Sequence, residues 1–196
     1  MSTLKLVILD RDGTLNQDSD EFVKSPAEWE PLPGALEAIA RLNHAGWHVV
    51  VASNQSGLGR GLFDVDMLNA IHAKMHKALA AVGGRIDAVF YCPHAPTEGC
   101  RCRKPESGLF EQIGERYGIE LQGVPAVGDT LRDVQAGAAV GCEPHLVLTG
   151  KGAAFRDRAL PEGFPASTQV HADLAAFAQA LLAREAPPVH AAPPKV

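Results

Sequence analysis

The chain has 196 residues, 46% hydrophobic and 21% charged, with a formal net charge of -5. That composition supports a packed core and excludes a disordered or fibrous chain. The acidic balance argues against nucleic acid or an anionic membrane as partner, and no apolar run approaches the ~20 residues of a membrane-spanning helix.

The segment before Leu6 is too short for the apolar core of a signal peptide, so a cytoplasmic location is expected. Leu6-Val7-Ile8-Leu9 reads as a buried parallel strand and runs directly into Asp10-Arg11-Asp12-Gly13-Thr14. From Asn16 to Pro33 the chain is polar and proline-punctuated, with isolated Phe22, Val23 and Trp29, which suggests a functional loop. Pro33-Gly34 introduces a helix carrying Leu36, Ile39, Ala40 and Leu42, closed by Gly46. Trp47 to Ala52 is a second strand, ending in Ser53-Asn54-Gln55-Ser56 and a glycine-rich stretch with Arg60 between glycines. Asp64 is placed to cap a helix with Leu68, Ile71, Met75 and Leu79, which Gly83-Gly84 ends.

Ile86 to Tyr91 forms a third strand, followed by a cysteine-rich loop running to Pro105. Ser107 is expected to cap a helix with Leu109, Phe110 and Ile113. Val124 to Val127 is a short strand ending in Gly128-Asp129, and Thr130-Leu131-Arg132-Asp133 matches a capping box with Asp in place of Glu. His145 to Leu148 is a fifth strand and Ala172 to Arg184 a final helix; the Pro- and Ala-rich tail 187–196 is expected to fray. Strand–helix alternation predicts an α/β fold, a doubly wound Rossmann-like, mainly parallel sheet with helices on both faces. Residues 1–186 make one domain.

Four strands end in groups suited to phosphoryl transfer. A carboxylate such as Asp10 can attack phosphorus to give an acyl phosphate, and Asp12 can handle the proton. Carboxylate and phosphate repel, so Mg²⁺ is expected between them, held by Asp10, Asp129 and the backbone carbonyl of Asp12. Ser53 and Asn54 can donate hydrogen bonds to phosphate oxygens, and Lys104 can neutralise charge developing at phosphorus. For the two acids to differ in role, the pKa of Asp12 has to lie above that of metal-bound Asp10. The alternative at each position is a plain turn residue or helix cap.

Cys92-x-His94 and Cys100-x-Cys102 offer three thiolates and one imidazole, a set suited to tetrahedral, structural Zn²⁺ that would brace Arg103 and Lys104. The alternative is free thiols around an incidental histidine. Cys142 stands apart and reads as a buried small residue. His44, His72 and His76 fall on helices and read as surface or packing residues.

Asp10-Arg11-Asp12-Gly13-Thr14, Ser53-Asn54, Lys104 and Gly128-Asp129 together resemble the four motifs of the haloacid dehalogenase superfamily of phosphatases. The resemblance spans residues 5 to 150 and implies a flap after the first strand, which the stretch from Asn16 to Pro33 can supply. Neither gap between motifs has room for a large cap domain, so a capless core is expected, and with it a monomer. Ser53-Asn54-Gln55-Ser56-Gly57, Cys92-Pro93-His94 and Cys102-Arg103-Lys104-Pro105 are similar to the heptose 1,7-bisphosphate phosphatases, with the histidinol-phosphate phosphatases as close relatives. Ser56 and Arg60 fit the heptose group better, whereas Thr130 stands where some of its members carry lysine. The resemblance implies hydrolysis of a sugar bisphosphate at C7, leaving heptose 1-phosphate for activated-heptose and lipopolysaccharide core synthesis. It also implies zinc in the loop 92–105. Substrate contacts are expected from Asp18 and Phe22 of the flap, from Ser53, Asn54, Gln55, Ser56 and Arg60, and from Arg103 and Lys104.

Two further classes compete with this reading. A signalling receiver domain also uses a strand-end aspartate and Mg²⁺, but Asp12, two residues after the nucleophile, favours rapid hydrolysis. A zinc-dependent interaction module would leave the aspartates unexplained.

Overall fold

A computed structural model describes residues 4–185, so the segment 187–196 lies outside the described residues. The elements are β1 (Leu6–Leu9), α1 (Ala35–His44), β2 (His48–Asn54), α2 (Ser56–Gly59), α3 (Val65–Ala81), β3 (Ala88–Cys92), α4 (Gly108–Tyr117), β4 (Pro125–Gly128), α5 (Leu131–Ala138), β5 (Glu143–Val147), β6 (Gln169–His171) and α6 (Leu174–Glu185). Short 3₁₀ turns occupy Pro26–Glu28, Pro96–Glu98 and Gly150–Phe155.

All six strands are parallel, in the order β3-β2-β1-β4-β5-β6. The winding reverses between β1 and β4, and such a switch point opens a crevice beyond the carboxyl ends of the strands. Ile8 pairs with Ala126 and Leu9 with Val127, and the Asp10 N–H donates to Val127 O at 2.8 Å. Asp10 and Asp129 therefore leave neighbouring central strands side by side.

Buried residues alternate along β1 between two cores, since successive side chains point to opposite faces. Val7 and Leu9 join Leu36, Ile39, Ile71, Met75, Phe177 and Leu181 of α1, α3 and α6. Leu6 and Ile8 meet Leu109, Phe110, Ile113 and Ala136 of α4 and α5. Helices cover both faces, as the alternation of elements implies.

Local chemistry sets the element ends. Gly46, at φ 85°, closes α1, with Trp47 N–H donating back to Leu42 O. The Asp64 carboxylate accepts the Met67 N–H at 2.8 Å and starts α3. Ser107 does not cap α4: it is already helical, and its hydroxyl donates to Glu111 Oε1 at 2.6 Å. Two elements escape the sequence reading, β6, which is short and mostly exposed, and α2, whose glycines read as loop.

Candidate active site

Every residue proposed from the sequence to catalyse or to contact substrate lines one cleft of about 220 Å³ at the carboxyl ends of β1, β2 and β4. Asp10 and Asp12 follow β1, Ser53 and Asn54 end β2, Gln55, Ser56 and Arg60 come from α2 and its flanks, and Asp129 follows β4. Asp18 and Phe22 hang from the flap, and Arg103 and Lys104 from the cysteine loop.

Lys104 organises the floor. Its Nζ lies 2.7 Å from Asp10 Oδ1, 2.7 Å from Asp133 Oδ1 and 2.6 Å from Ala52 O. Burial alone would depress this ammonium, but Asp10 and Asp133 outweigh it and hold the pKa above its ordinary value. Burial raises Asp10 to about 7, with Asp133 and Asp12 adding to the rise and Lys104 opposing it. Asp129 is raised to about 8, again by burial first, then by Asp10 and Asp133. Asp10, Asp129 and Asp133 each offer an oxygen, all within 4.8 Å of one another. So many hard carboxylate oxygens held in one buried spot, with one ammonium between them, suit a divalent cation such as Mg²⁺.

Asp133 is a site residue that the sequence reading saw only as a helix cap. It does cap: Oδ2 accepts the Thr130 N–H at 2.9 Å and the Thr130 hydroxyl at 2.6 Å. Its other oxygen binds Lys104, so one carboxylate both starts α5 and fixes the lysine. An acid one helical turn beyond Asp129 was the available signal. Ser19, Asp20, Val23, Thr130, Arg132 and Lys151 also line the cleft and were not singled out. Lys151 donates its backbone N–H to Asp129 Oδ2 at 2.7 Å and reaches Asp18 at 3.1 Å with its ammonium.

Asn54 has a role beside the one expected of it. Its amide nitrogen donates to Lys104 O at 3.1 Å, and its Oδ1 accepts the Lys104 N–H at 3.0 Å. The side chain thus pins the lysine backbone with its oxygen and one N–H, which leaves the second amide N–H at the cleft. Ser53 accepts from Gln55 Nε2 at 2.7 Å, which leaves its own O–H to donate into the cleft.

Asp12 is held by a donor set of its own. Its carboxylate accepts from Arg11 Nε at 3.1 Å and Nη2 at 2.9 Å, from Asn16 at 2.9 Å and from Gln55 Nε2 at 2.9 Å. Burial would raise it, but Arg11 and these donors bring it below the ordinary value. Without a bound cation Asp10 is thus raised and Asp12 lowered, whereas the order expected from sequence is that of Asp10 held ionised on its metal. What lowers Asp12 is Arg11, a fully buried cation that the sequence offered only as the residue between two acids.

At the mouth of the cleft stand Arg60, Arg103 and Arg132, none of which has a carboxylate ion-pair partner among the described residues. Burial lowers the pKa of Arg103, and the like charges of Arg132 and Arg60 lower it further. Unpaired like charges gathered in an acidic protein make a local attractor for anions. Arg60 also lies 5.5 Å over the Phe22 ring, and Phe22 holds a left-handed φ of 67°.

In the cysteine loop, Cys92, His94, Cys100 and Cys102 bring one ligand atom each within 4.8 Å of one another. Cys92 Sγ is 3.5 Å from His94 Nδ1 and from Cys100 Sγ, and His94 Nδ1 is 3.3 Å from Cys102 Sγ. Tetrahedral zinc with Zn–S of about 2.3 Å sets its ligand atoms roughly 3.7 Å apart, so the donor set and spacing fit that ion. Cys142 is buried in the same core as Cys92 and is not one of the four clustered ligands. No helix of the described residues is long and apolar enough to cross a membrane.

Known proteins share this architecture. The polynucleotide kinase 3 phosphatase family model matches residues 5–133, and a HAD-hydrolase-like model matches residues 101–177. The D-glycero-beta-D-manno-heptose-1,7-bisphosphate 7-phosphatase of Bordetella bronchiseptica is 60% identical, over 91% of this chain and 98% of the relative. That of Pseudomonas aeruginosa is 51% identical, over 90% and 97%. The crystal structure of D,D-heptose 1,7-bisphosphate phosphatase from B. bronchiseptica, complexed with magnesium and phosphate, superposes with a TM-score of 0.88, covering 93% of this chain and 100% of that one. The enzyme from Burkholderia thailandensis, 54% identical, superposes at 0.69, covering 91% and 98%. The chain belongs to the haloacid dehalogenase superfamily and, within it, to the heptose 1,7-bisphosphate 7-phosphatase family.

Proposed function

We propose that the protein hydrolyses the 7-phosphate of D-glycero-D-manno-heptose 1,7-bisphosphate, leaving heptose 1-phosphate. The observation that carries this is one small cleft holding Asp10 on Lys104, Asp12 two residues on, and three unpaired arginines at its mouth. A bisphosphate has one phosphate for each end of that cleft. The relatives' printed activity and the magnesium and phosphate in the B. bronchiseptica structure support the same reading.

Asp10 attacks the C7 phosphorus, the ester P–O bond breaks, and the leaving alkoxide takes a proton from Asp12. The incoming dianion raises the proton affinity of Asp12, since a like charge beside a carboxylate disfavours ionisation. Asp12 then accepts a proton from water as that water attacks the aspartyl phosphate, and Asp10 is released with inorganic phosphate. Lys104 and the Ser53 hydroxyl neutralise charge on the phosphoryl oxygens. Asp10 and Asp129 would hold Mg²⁺, which when bound supplies the countercharge that lets Asp10 ionise beside a phosphate. Cys92, His94, Cys100 and Cys102 would hold Zn²⁺, fixing the loop from which Arg103 and Lys104 project.

The test is kcat/KM on heptose 1,7-bisphosphate against histidinol phosphate, with Mg²⁺ and with chelator. Mg²⁺-dependent preference for the heptose is expected; preference for histidinol phosphate would overturn the substrate assignment.

A further inference from the structure

Arg11 is fully buried behind Asp12 and does not line the cleft. A buried guanidinium persists only where its donors are satisfied. Here Nε and Nη2 grip Asp12, Nη2 also lies 3.3 Å from Gln55 Oε1, and Nη1 lies 3.3 Å from Nε2 of His72. Arginine can only donate, so His72 accepts at Nε2 and keeps its proton on Nδ1. Burial and the Arg11 charge hold the His72 pKa down at about 4, in keeping with a neutral ring. Of the surface and packing places that its helix allows, His72 takes the packing one, half-buried and with a polar contact added. It is carried by α3 next to Ile71, which is locked in the core, and its ring lies 6.4 Å from that of Tyr91.

We propose that His72, acting through Arg11, is a positioning residue for the Asp12 carboxylate. The imidazole fixes Nη1, so that Nε and Nη2 present a rigid fork to Asp12. A bidentate pair transmits orientation as well as charge. This rests on the reading of Asp12 as the acid–base group, and it adds two side chains that never touch substrate.

The test uses leaving-group dependence. An alkoxide leaving group needs the proton of Asp12, whereas p-nitrophenolate departs without it. kcat/KM reports steps through formation of the aspartyl phosphate and so isolates the acid role. His72→Leu is expected to lower kcat/KM on heptose 1,7-bisphosphate about tenfold, and to cost p-nitrophenyl phosphate no more than about twofold. His72→Gln, whose carbonyl can accept from Arg11, is expected to restore the alkyl ester. Arg11→Lys should shift the ratio in the same direction and further. Equal losses on both esters, no loss on either, or failure of glutamine to rescue would overturn the proposal. Asp12→Asn, measured in parallel, separates the two readings. If it shows no leaving-group dependence, the acid–base assignment has failed. If it does and His72→Leu does not, only this inference has failed. Should the wild type favour another alkyl monophosphate over the heptose, that ester takes its place in the same comparison.

Discussion

Lys104 and Asp133 form an ion pair with an Nζ–Oδ1 distance of 2.7 Å and side chains only 3% and 7% exposed. Removing one partner of a buried pair leaves the other charge uncompensated, which costs about 3 kcal/mol or more. Asp133→Ala also strips the cap from α5. The variant is expected to lose about 3 kcal/mol in urea unfolding, together with most of its kcat, because Lys104 loses one of its tethers. A loss in stability without a loss in kcat would show that Asp10 and Ala52 hold the lysine unaided.

Gly13 tests how tightly Asp129 is seated. At φ +82° its backbone is left-handed, and an added Cβ would stand 2.1 Å from Asp129 Oδ2. Gly13→Ala must displace that carboxylate, and a misplacement near 1 Å costs roughly a hundredfold in rate. The expected result is weakened Mg²⁺ activation with the cysteine loop unaffected, read from the Mg²⁺ concentration needed for half-maximal rate.

The strands and long helices were legible because burial marks the sequence. Leu68, Ile71, Met75 and Leu79 recur at helical spacing, whereas Leu6-Val7-Ile8-Leu9, buried on both faces, shows as an unbroken apolar run. β6 was not legible: Gln169-Val170-His171 is largely exposed and joins the sheet only by pairing with β5. The strand-end acids and the cysteine loop could be read from residue type and spacing. The roles of Arg11, His72 and Asn54 could not, since each depends on a hydrogen bond between segments distant in the chain or on the depth of a side chain. Asp133 was legible as a cap and illegible as the partner of a lysine 29 positions earlier.

The cysteine loop predicts a metal-dependent stability. Cys92 is buried within the core shared with Leu109 and Ile113, so an ion held there ties the loop to the fold. Protein purified without chelator is expected to carry zinc. Stripping it, or Cys102→Ser, should lower Tm, raise KM and lower kcat, because Arg103 and Lys104 lose their brace together. Folded, active protein free of zinc would contradict this.

Away from the site, His145 is 2% exposed with Nδ1 3.0 Å from Nε2 of His171. Burial depresses its pKa to about 4, against 6.5 ordinarily, with the charges of His171 and Arg184 adding to this and Glu143 opposing it. The folded state thus favours the neutral ring. Its contribution is complete above pH 6.5 and is lost progressively as pH falls toward 4, reaching about 3 kcal/mol. Urea midpoints between pH 7.5 and 4 should fall accordingly, and His145→Gln should flatten that slope.

The most direct measurement is ³¹P NMR of the product formed from heptose 1,7-bisphosphate and Mg²⁺. The expected spectrum loses the C7 phosphomonoester signal, keeps the C1 phosphate and gains inorganic phosphate, with Asp10→Asn inert. Loss of the C1 phosphate instead, or turnover that survives Asp10→Asn, would contradict the assignment of a C7 phosphatase built on Asp10.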